Sequence, residues 1–146
     1  MGAHDKYGKN LLHRVLGRRF DSWDSRRNVR LGSIGISLDG VITGPESSEV
    51  ICAVEIEAEN ETQVRGAVLN LSLHPAPKAL LVLMARHLAN PVPDVLDHVQ
   101  KLWTRLTGGS RGELAVASLV GDGHAPAWDE DEGLLKSRLA DLGIFC

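Results

Sequence analysis

The chain has little cysteine, few aromatic residues and no long hydrophobic run. Its two cysteines, Cys52 and Cys146, make neither a disulfide framework nor a metal-ligand spacing, which favours a reducing cytoplasm. The apolar runs, such as residues 79–85, are far shorter than the roughly 20 residues of a membrane-spanning helix, and the polar, basic N-terminus is unlike a signal peptide. The sequence therefore predicts a soluble cytoplasmic protein with no membrane partner.

Two common ligand-binding patterns are also missing from the sequence. The six histidines never pair at helical or knuckle spacing with another good zinc ligand, so a zinc site is not expected. The glycine-containing segments 32–35 and 121–123 do not fit the nucleotide-binding patterns, and neither leads straight into a helix. A nucleotide cofactor is therefore not expected either.

What the chain does contain is the composition of an ordinary folded domain. Apolar residues make up 43% and charged residues 24% of its 146 positions, which excludes the disordered, collagen-like and fibrous classes. This length suits one domain with one hydrophobic core, and neither an internal repeat nor a low-complexity linker divides it. We expect a single domain over residues 1–146.

Hydrophobic periodicity predicts the element order α-β-β-β-α-β-α-β-α. The predicted helices cover residues 6–16, 61–73, a stretch beginning at 91–94, and 131–142. The predicted strands cover residues 29–37 (as two short strands or one bent strand), 38–43, 49–57, 79–84 and 114–120. Strands 38–43 and 49–57 flank turn residues and should form a hairpin. The fold class is α/β, with a mixed central sheet flanked by helices.

Candidate chemistry is concentrated in Asp39, Glu55 and Glu57. Because alternate side chains of a strand share a face, Glu55 and Glu57 lie together and Ile56 points to the opposite, core side. In the predicted hairpin, residues whose numbers sum to about 93 lie opposite each other, so Asp39 faces Val54, and a slip of one residue would bring it beside Glu55. Carboxylates held this close repel one another unless a cation joins them, which favours a divalent ion such as Mg²⁺ or Mn²⁺.

The placement of these acidic residues resembles that of the PD-(D/E)XK nucleases, also called the restriction-endonuclease-like superfamily. The core of that superfamily has the order αβββαβ, with Asp on the second strand and Glu-x-Lys on the third, as Asp39 and the run Glu55-Ile56-Glu57 are placed here. The resemblance covers about residues 6–84 and leaves about 91–146 as a C-terminal β/α extension. Two positions depart from the pattern. Leu38 stands where Pro is usual, and Glu57 stands where Lys is usual, a replacement seen in some restriction enzymes and also expected of inactive descendants.

The resemblance implies a metal-dependent nuclease that hydrolyses phosphodiester bonds of DNA with an activated water molecule. It implies that Asp39, Glu55 and the Ile56 carbonyl bind Mg²⁺ (or Mn²⁺), and that Glu57 holds a second ion or orients the attacking water. Lys78, at the start of the following strand, is a candidate cation for the same site. A homodimer is also implied, since a small nuclease of this kind usually needs two copies to cut both strands.

The N-terminal segment is basic although the chain as a whole has a net charge of −3. Residues 1–30 contain eight lysines and arginines against three aspartates. The segment is either an electrostatic footprint for phosphates or a solvated helix face with an adjoining loop. Trp23 lies within it and is the aromatic residue best placed in the sequence to stack on bases. The predicted nucleic-acid contacts are Arg18, Arg19, Arg26, Arg27 and Arg30.

Three functions from different classes are therefore compatible with the sequence. The chain is a metal-dependent DNA nuclease, a catalytically inactive relative that binds DNA or a protein partner, or an unrelated α/β interaction module. Stabilisation by a divalent ion separates the first from the others, because only an intact acidic site requires a cation. Salt-sensitive DNA binding without a metal requirement separates the second from the third.

Overall fold

The computed structural model of this chain describes residues 2–22 and 28–146. Four α-helices lie within these residues: α1 (Ala3–Leu16), α2 (Glu61–Leu73), α3 (Val92–Thr107) and α4 (Trp128–Asp141). The seven strands of the described residues are β1 (Phe20–Asp21), β2 (Asn28–Leu31), β3 (Ile34–Ser37), β4 (Gly40–Thr43), β5 (Val50–Glu57), β6 (Lys78–Met84) and β7 (Leu114–Leu119). Two short 3₁₀ turns follow α1 and β6, at Gly17–Arg19 and Ala85–His87.

Five of these strands form one mixed sheet in the order β1-β4-β5-β6-β7. The strand β4 runs antiparallel to β1 and β5, whereas β5, β6 and β7 run parallel to one another. The carboxyl ends of β5, β6 and β7 therefore lie at one edge of the sheet, which is also where β4 begins. The predicted α/β class with a mixed central sheet flanked by helices is confirmed.

The prediction that residues 29–37 belong to the run of core strands is wrong. Among the described residues, the strands β2 and β3 pair only with each other, as a separate hairpin outside the central sheet. Their apolar residues include Leu31 and Ile34, which are 50% and 69% exposed, so this hairpin does not bury them as a core strand would. The first strand of the sheet is instead β1, where Phe20 is buried in the core. A strand of two residues is too short to show the alternation of apolar and polar residues by which strands are predicted.

Helices cover both faces of the sheet. On one face, α1 and α4 pack Leu11, Leu12, Leu135 and Leu139 against the strands. On the other face, α2 and α3 do the same with a second cluster that includes Val64, Val68, Val95, Val99 and Trp103. Two-sided burial explains why β6 is apolar without alternation, since every position of a covered central strand meets a helix. No helix within residues 2–22 and 28–146 has the length and apolar character needed to cross a membrane.

The helix α2 matches its sequence prediction at both ends. The side chain of Asn60 accepts a hydrogen bond from the backbone N of Gln63, at 3.1 Å, which satisfies one of the unpaired amides of the first turn. The helix ends at Leu73, before His74 and Pro75, because a residue preceding proline disfavours helical geometry. This helix begins four residues after β5 ends and so stands beside the acidic edge of the sheet.

Gly40 lies where the edge strand β1 packs most closely on β4. A Cβ atom there would lie 2.5 Å from Cε1 of Phe20 and 3.0 Å from the carbonyl oxygen of Asp21. We therefore expect Gly40→Ala to lower the free energy of unfolding by about 1–3 kcal/mol, because the buried ring must shift. Urea unfolding measures the change. Gly66→Ala is the control: a Cβ at this exposed position in α2 meets nothing within 4 Å, so it should raise stability by up to about 1 kcal/mol.

Candidate functional site

Asp39 and Glu55 lie side by side at the edge of the sheet where β4 begins and β5 ends. The pairing of Gly40 with Val54 and of Ile42 with Cys52 continues to Asp39 opposite Glu55. The simple hairpin register expected from the sequence put Asp39 opposite Val54. An irregularity between Ile42 and Thr43 shifts the register by one residue, and this shift brings the two carboxylates together.

Backbone and side chains hold this pair of carboxylates in place. The backbone N of Asp39 donates to Oε1 of Glu55 at 2.9 Å, and the backbone N of Ile56 donates to Oδ2 of Asp39 at 2.7 Å. From α2, Nδ2 of Asn70 lies 3.4 Å from Oε2 of Glu55. The Glu55 carboxylate thus accepts the amide of Asp39, and the Asp39 carboxylate accepts the amide of Ile56. These two bonds continue the pairing of the two segments past Gly40, the first residue of β4. The positions of both acidic groups are fixed by the sheet itself.

Burying the ionised carboxylate of Glu55 costs free energy, because the charge loses its hydration. Its residue is only 8% exposed. Burial, followed by the charge of Asp39, raises the pKa of Glu55 to about 8, although hydrogen bonds from Asp39 and Asn70 act in the opposite direction. The pKa of nearby Glu57 is also raised, mainly by burial. A divalent cation between the carboxylates would offset both the desolvation and the repulsion, and an all-oxygen donor set fits Mg²⁺ or Mn²⁺.

Glu57 lies near the pair but is turned toward the backbone that follows β5. Its Oε1 accepts hydrogen bonds from the backbone N of Ala58 and of Glu59, both at 3.2 Å. In this orientation it terminates the strand and adds negative charge near Asp39 and Glu55. The trio expected from the sequence is therefore a close pair with a third carboxylate beside it.

Ile56 and Lys78 occupy different positions relative to this pair. The Ile56 side chain points into the core on the α1 face, as expected, and its backbone follows Glu55 directly. Lys78 is not at the same end of the sheet as Glu57, because it pairs with Cys52 in the parallel ladder. Cys52 lies three residues of strand before Glu55 and five before Glu57, which are distances of about 10 and 16 Å. The prediction that Lys78 supplies a cation to the acidic site is therefore wrong.

The predicted basic contacts do not gather around the acidic pair in the described residues. Arg19 donates to the carbonyl oxygens of Thr43 and Phe145, at 3.1 and 2.7 Å. It thereby ties the end of α1 to the far end of β4, about 13 Å along the strand from Asp39. Arg18 adjoins it on the exposed surface, whereas Arg30 lies in the β2–β3 hairpin opposite Gly35, about 13 Å along extended chain from Asp39. The predicted contacts Arg26 and Arg27, together with Trp23, lie outside the described residues.

Sequence spacing gave no indication of a second cluster, formed by His4, His87 and Asp122. Within residues 2–22 and 28–146, this is the only group of three metal-ligating side chains whose donor atoms all lie within 4.8 Å of one another. Hydrogen bonds from the amides of Ala125 and His124 hold the pKa of Asp122 at about 2. The three residues of this cluster lie far apart in the sequence, and the fold brings them together at one edge of the sheet. The one sequence signal was that His87 and Asp122 each follow a buried strand.

No protein-family model, curated protein or solved structure matches this chain. Its architecture defines an α/β protein with a five-stranded mixed sheet between two pairs of helices.

Proposed function

We propose that the chain is a nuclease that uses Mg²⁺ or Mn²⁺ to hydrolyse phosphodiester bonds of DNA. The observation that carries the proposal is the pairing of two carboxylates, Asp39 directly before β4 and Glu55 on β5, which meet at one edge of the central sheet. Carboxylate oxygens are the preferred ligands of these hard cations. A buried carboxylate with a raised pKa at the end of a strand is also a common feature of catalytic sites.

The order of elements around the pair supports the same proposal. In the chain, α1, β1, β4, β5, α2 and β6 follow one another, interrupted only by the β2–β3 hairpin, and their four strands are neighbours in the sheet. This is the αβββαβ order of the restriction-endonuclease-like nucleases that the sequence resembles. Asp39 stands directly before the second strand of that order, and Glu55 and Glu57 stand on the third.

Each residue of the acidic edge has a role in the proposed reaction. Asp39, Glu55 and the Ile56 carbonyl would hold the ion. When bound, such an ion lowers the pKa of a coordinated water and neutralises charge on the phosphate during attack. Glu57 would accept a proton from the water or bind a second ion. Its Oε1 caps the amides of Ala58 and Glu59, so Oε2 would serve in either role.

The β2–β3 hairpin would supply contacts to the DNA. It leads through Leu38 directly into Asp39, so its base stands next to the acidic pair. It carries Arg30 and, near its turn, the exposed apolar residues Leu31 and Ile34. A two-stranded ribbon fits a groove of duplex DNA, and exposed apolar side chains can wedge between base steps. The hairpin therefore offers a phosphate contact about 13 Å, and a wedge about 16 Å, along extended chain from Asp39.

The proposal is tested by DNA cleavage with Mg²⁺ or Mn²⁺ on duplex and single-stranded substrates. We expect Asp39→Asn and Glu55→Gln to reduce the cleavage rate at least about a hundredfold, because each removes a ligand charge from the ion. Both replacements keep an acceptor oxygen for the neighbouring backbone amide, so the fold should persist, as circular dichroism would show. Glu57→Lys restores the residue usual at this place in the resembled superfamily and should keep cleavage active, whereas Glu57→Ala should lose it.

The matched control is Glu49→Gln, which removes an exposed carboxylate just before the other end of β5. Its cleavage rate should equal that of the wild type. Cleavage that survives in Asp39→Asn and Glu55→Gln, or that is unchanged by a chelator, would contradict the proposal.

A second candidate is a non-catalytic protein of the same fold that binds DNA. The observation favouring it is the orientation of Glu57, whose carboxylate closes off the end of β5 instead of facing the pair. Such a protein should bind DNA with a strong dependence on salt and with no requirement for a divalent ion. This candidate would be supported if the chain binds DNA at low salt without cleaving it. The binding should then be unaffected by a chelator and by Glu55→Gln.

A further inference from the structure

Three elements far apart in the sequence bring His4, His87 and Asp122 together, and we call these three residues the histidine cluster. His4 lies in the first turn of α1, His87 in the 3₁₀ turn after β6, and Asp122 in the loop after β7. The Nε2 atom of His87 lies 3.1 Å from Oδ2 of Asp122, and the ring centroids of His4 and His87 are 4.4 Å apart. A fourth side chain, His124, has its ring centroid 5.0 Å from that of His4.

This donor set is chemically distinct from the acidic pair. Imidazole nitrogens together with one carboxylate are ligands of Zn²⁺ and related transition-metal ions, whereas Mg²⁺ selects oxygen. Two ligands that each lie about 2.0–2.2 Å from a tetrahedral ion are about 3.3 Å apart, close to the separation of His87 Nε2 and Asp122 Oδ2. An ion can therefore bind between these two atoms with little change in their separation.

The fold fixes the carboxylate of the cluster. Oδ1 of Asp122 accepts hydrogen bonds from the backbone N of His124 and of Ala125, at 2.8 and 2.7 Å. The carboxylate is thereby anchored through one oxygen and presents the other to His87. Anchoring of a ligand through its second donor or acceptor atom is typical of metal sites.

A buried network fixes the loop that carries this carboxylate. Asp131 of α4 is fully buried and accepts from the backbone N of Val120 and Gly121 and from the hydroxyl of Tyr7, at 2.7, 2.9 and 2.6 Å. These bonds tie the end of β7 to α1 and α4. The loop is therefore held against the helix that supplies His4.

Gly123 allows the closest approach between this loop and α1. A Cβ atom at this position would overlap the backbone of Ala3, directly before His4. The backbone N of Gly123 donates to Nδ1 of His4 at 3.1 Å. A neutral imidazole has one lone pair, so coordination by either ring nitrogen of His4 must end this bond. Ion binding thus exchanges one hydrogen bond for one metal–nitrogen bond.

We propose that His4, His87 and Asp122 form a binding site for Zn²⁺ or a similar transition-metal ion, separate from the Asp39–Glu55 pair. His124 or a water molecule would complete four-coordination. The ion would join the start of α1 to the segments that follow β6 and β7.

The test is calorimetric titration of the full chain with Zn²⁺, together with the visible absorption spectrum of the Co²⁺ form. We expect the wild type to bind about one equivalent and to give the intense spectrum of four-coordinate cobalt. His87→Ala and His4→Gln should each weaken binding at least about a hundredfold, because each removes a ligand. Both side chains are partly exposed, so neither change should unfold the chain.

Three variants act as controls in the same titration. His98→Ala removes an exposed histidine of α3, Cys146→Ser removes the exposed thiol, and Glu55→Gln alters the acidic pair. All three should bind Zn²⁺ like the wild type. Absence of binding by the wild type, equal binding by His87→Ala, or loss of binding in Cys146→Ser or Glu55→Gln would overturn the proposal. None of these outcomes depends on whether the chain cleaves DNA.

Discussion

Replacing Glu55 by glutamine should remove most of the fall in stability that the ion-free wild type shows between about pH 4.5 and pH 8. Folding raises the pKa of Glu55 from 4.5 to about 8 because the carboxylate is buried beside the charge of Asp39; the more distant charge of Glu57 adds to the effect, and hydrogen bonds from the Asp39 amide and Asn70 oppose it. The folded state therefore keeps a proton that the unfolded state releases. The stabilisation is full below about pH 4.5 and is lost as the pH rises through 8.

The expected size of this effect is large for one side chain. One unit of pKa corresponds to about 1.4 kcal/mol, so the free energy of unfolding should fall by roughly 4 kcal/mol across the window. In Glu55→Gln the introduced side chain cannot ionise, and its amide oxygen still accepts from the backbone N of Asp39. At pH 8, this variant should therefore be more stable than the ion-free wild type.

Urea unfolding in the presence of a chelator, at several pH values, measures this difference. The control Glu49→Gln changes an exposed carboxylate and should retain the slope of the wild type. A profile of Glu55→Gln that falls as steeply as that of the wild type would show that Glu55 is not the group responsible. A flat wild-type profile would show that burial of Glu55 carries no such cost.

A residue that lowers stability at neutral pH and is nevertheless held in place by two strands and a helix is typical of a functional site. In the ion-free protein the proton relieves the repulsion between Glu55 and Asp39. In the proposed ion-bound protein the cation does so instead. Ion binding and protonation of Glu55 should therefore compete, and the stabilisation by an ion should increase from pH 6 to pH 8.

Local signals in the sequence were sufficient for most of the secondary structure. The helix α2 was predicted to the residue because Asn60 caps its start and Pro75 follows its end. The buried strands β6 and β7 were predicted from apolar runs between turn residues, with errors of one residue at their ends. These elements are set by neighbouring residues, so a short window of sequence contains the information.

Features that depend on contacts between distant segments were not predictable in the same way. The pairing of Asp39 with Glu55 depends on an irregularity at Ile42 and Thr43 that no residue pattern announces. The strand β1 is too short to show an alternation of apolar and polar residues. The β2–β3 hairpin that follows it has strand-like residues but lies outside the central sheet. The histidine cluster requires the order of β6 and β7 in the sheet and the position of α1 above them.

The most direct test of the acidic site is the thermal midpoint at pH 8 with and without Mg²⁺, for the wild type, Asp39→Asn and Glu55→Gln. An ion at a hundred times its dissociation constant adds about 2.7 kcal/mol to the folded state. For a chain of this size that corresponds to a rise of about 5–10 °C. His87→Ala serves as the control and should respond like the wild type. A rise in the wild type and in His87→Ala that is absent from Asp39→Asn and Glu55→Gln is the predicted result; an unchanged wild-type midpoint, or an equal rise in all four proteins, would contradict a cation site at Asp39 and Glu55.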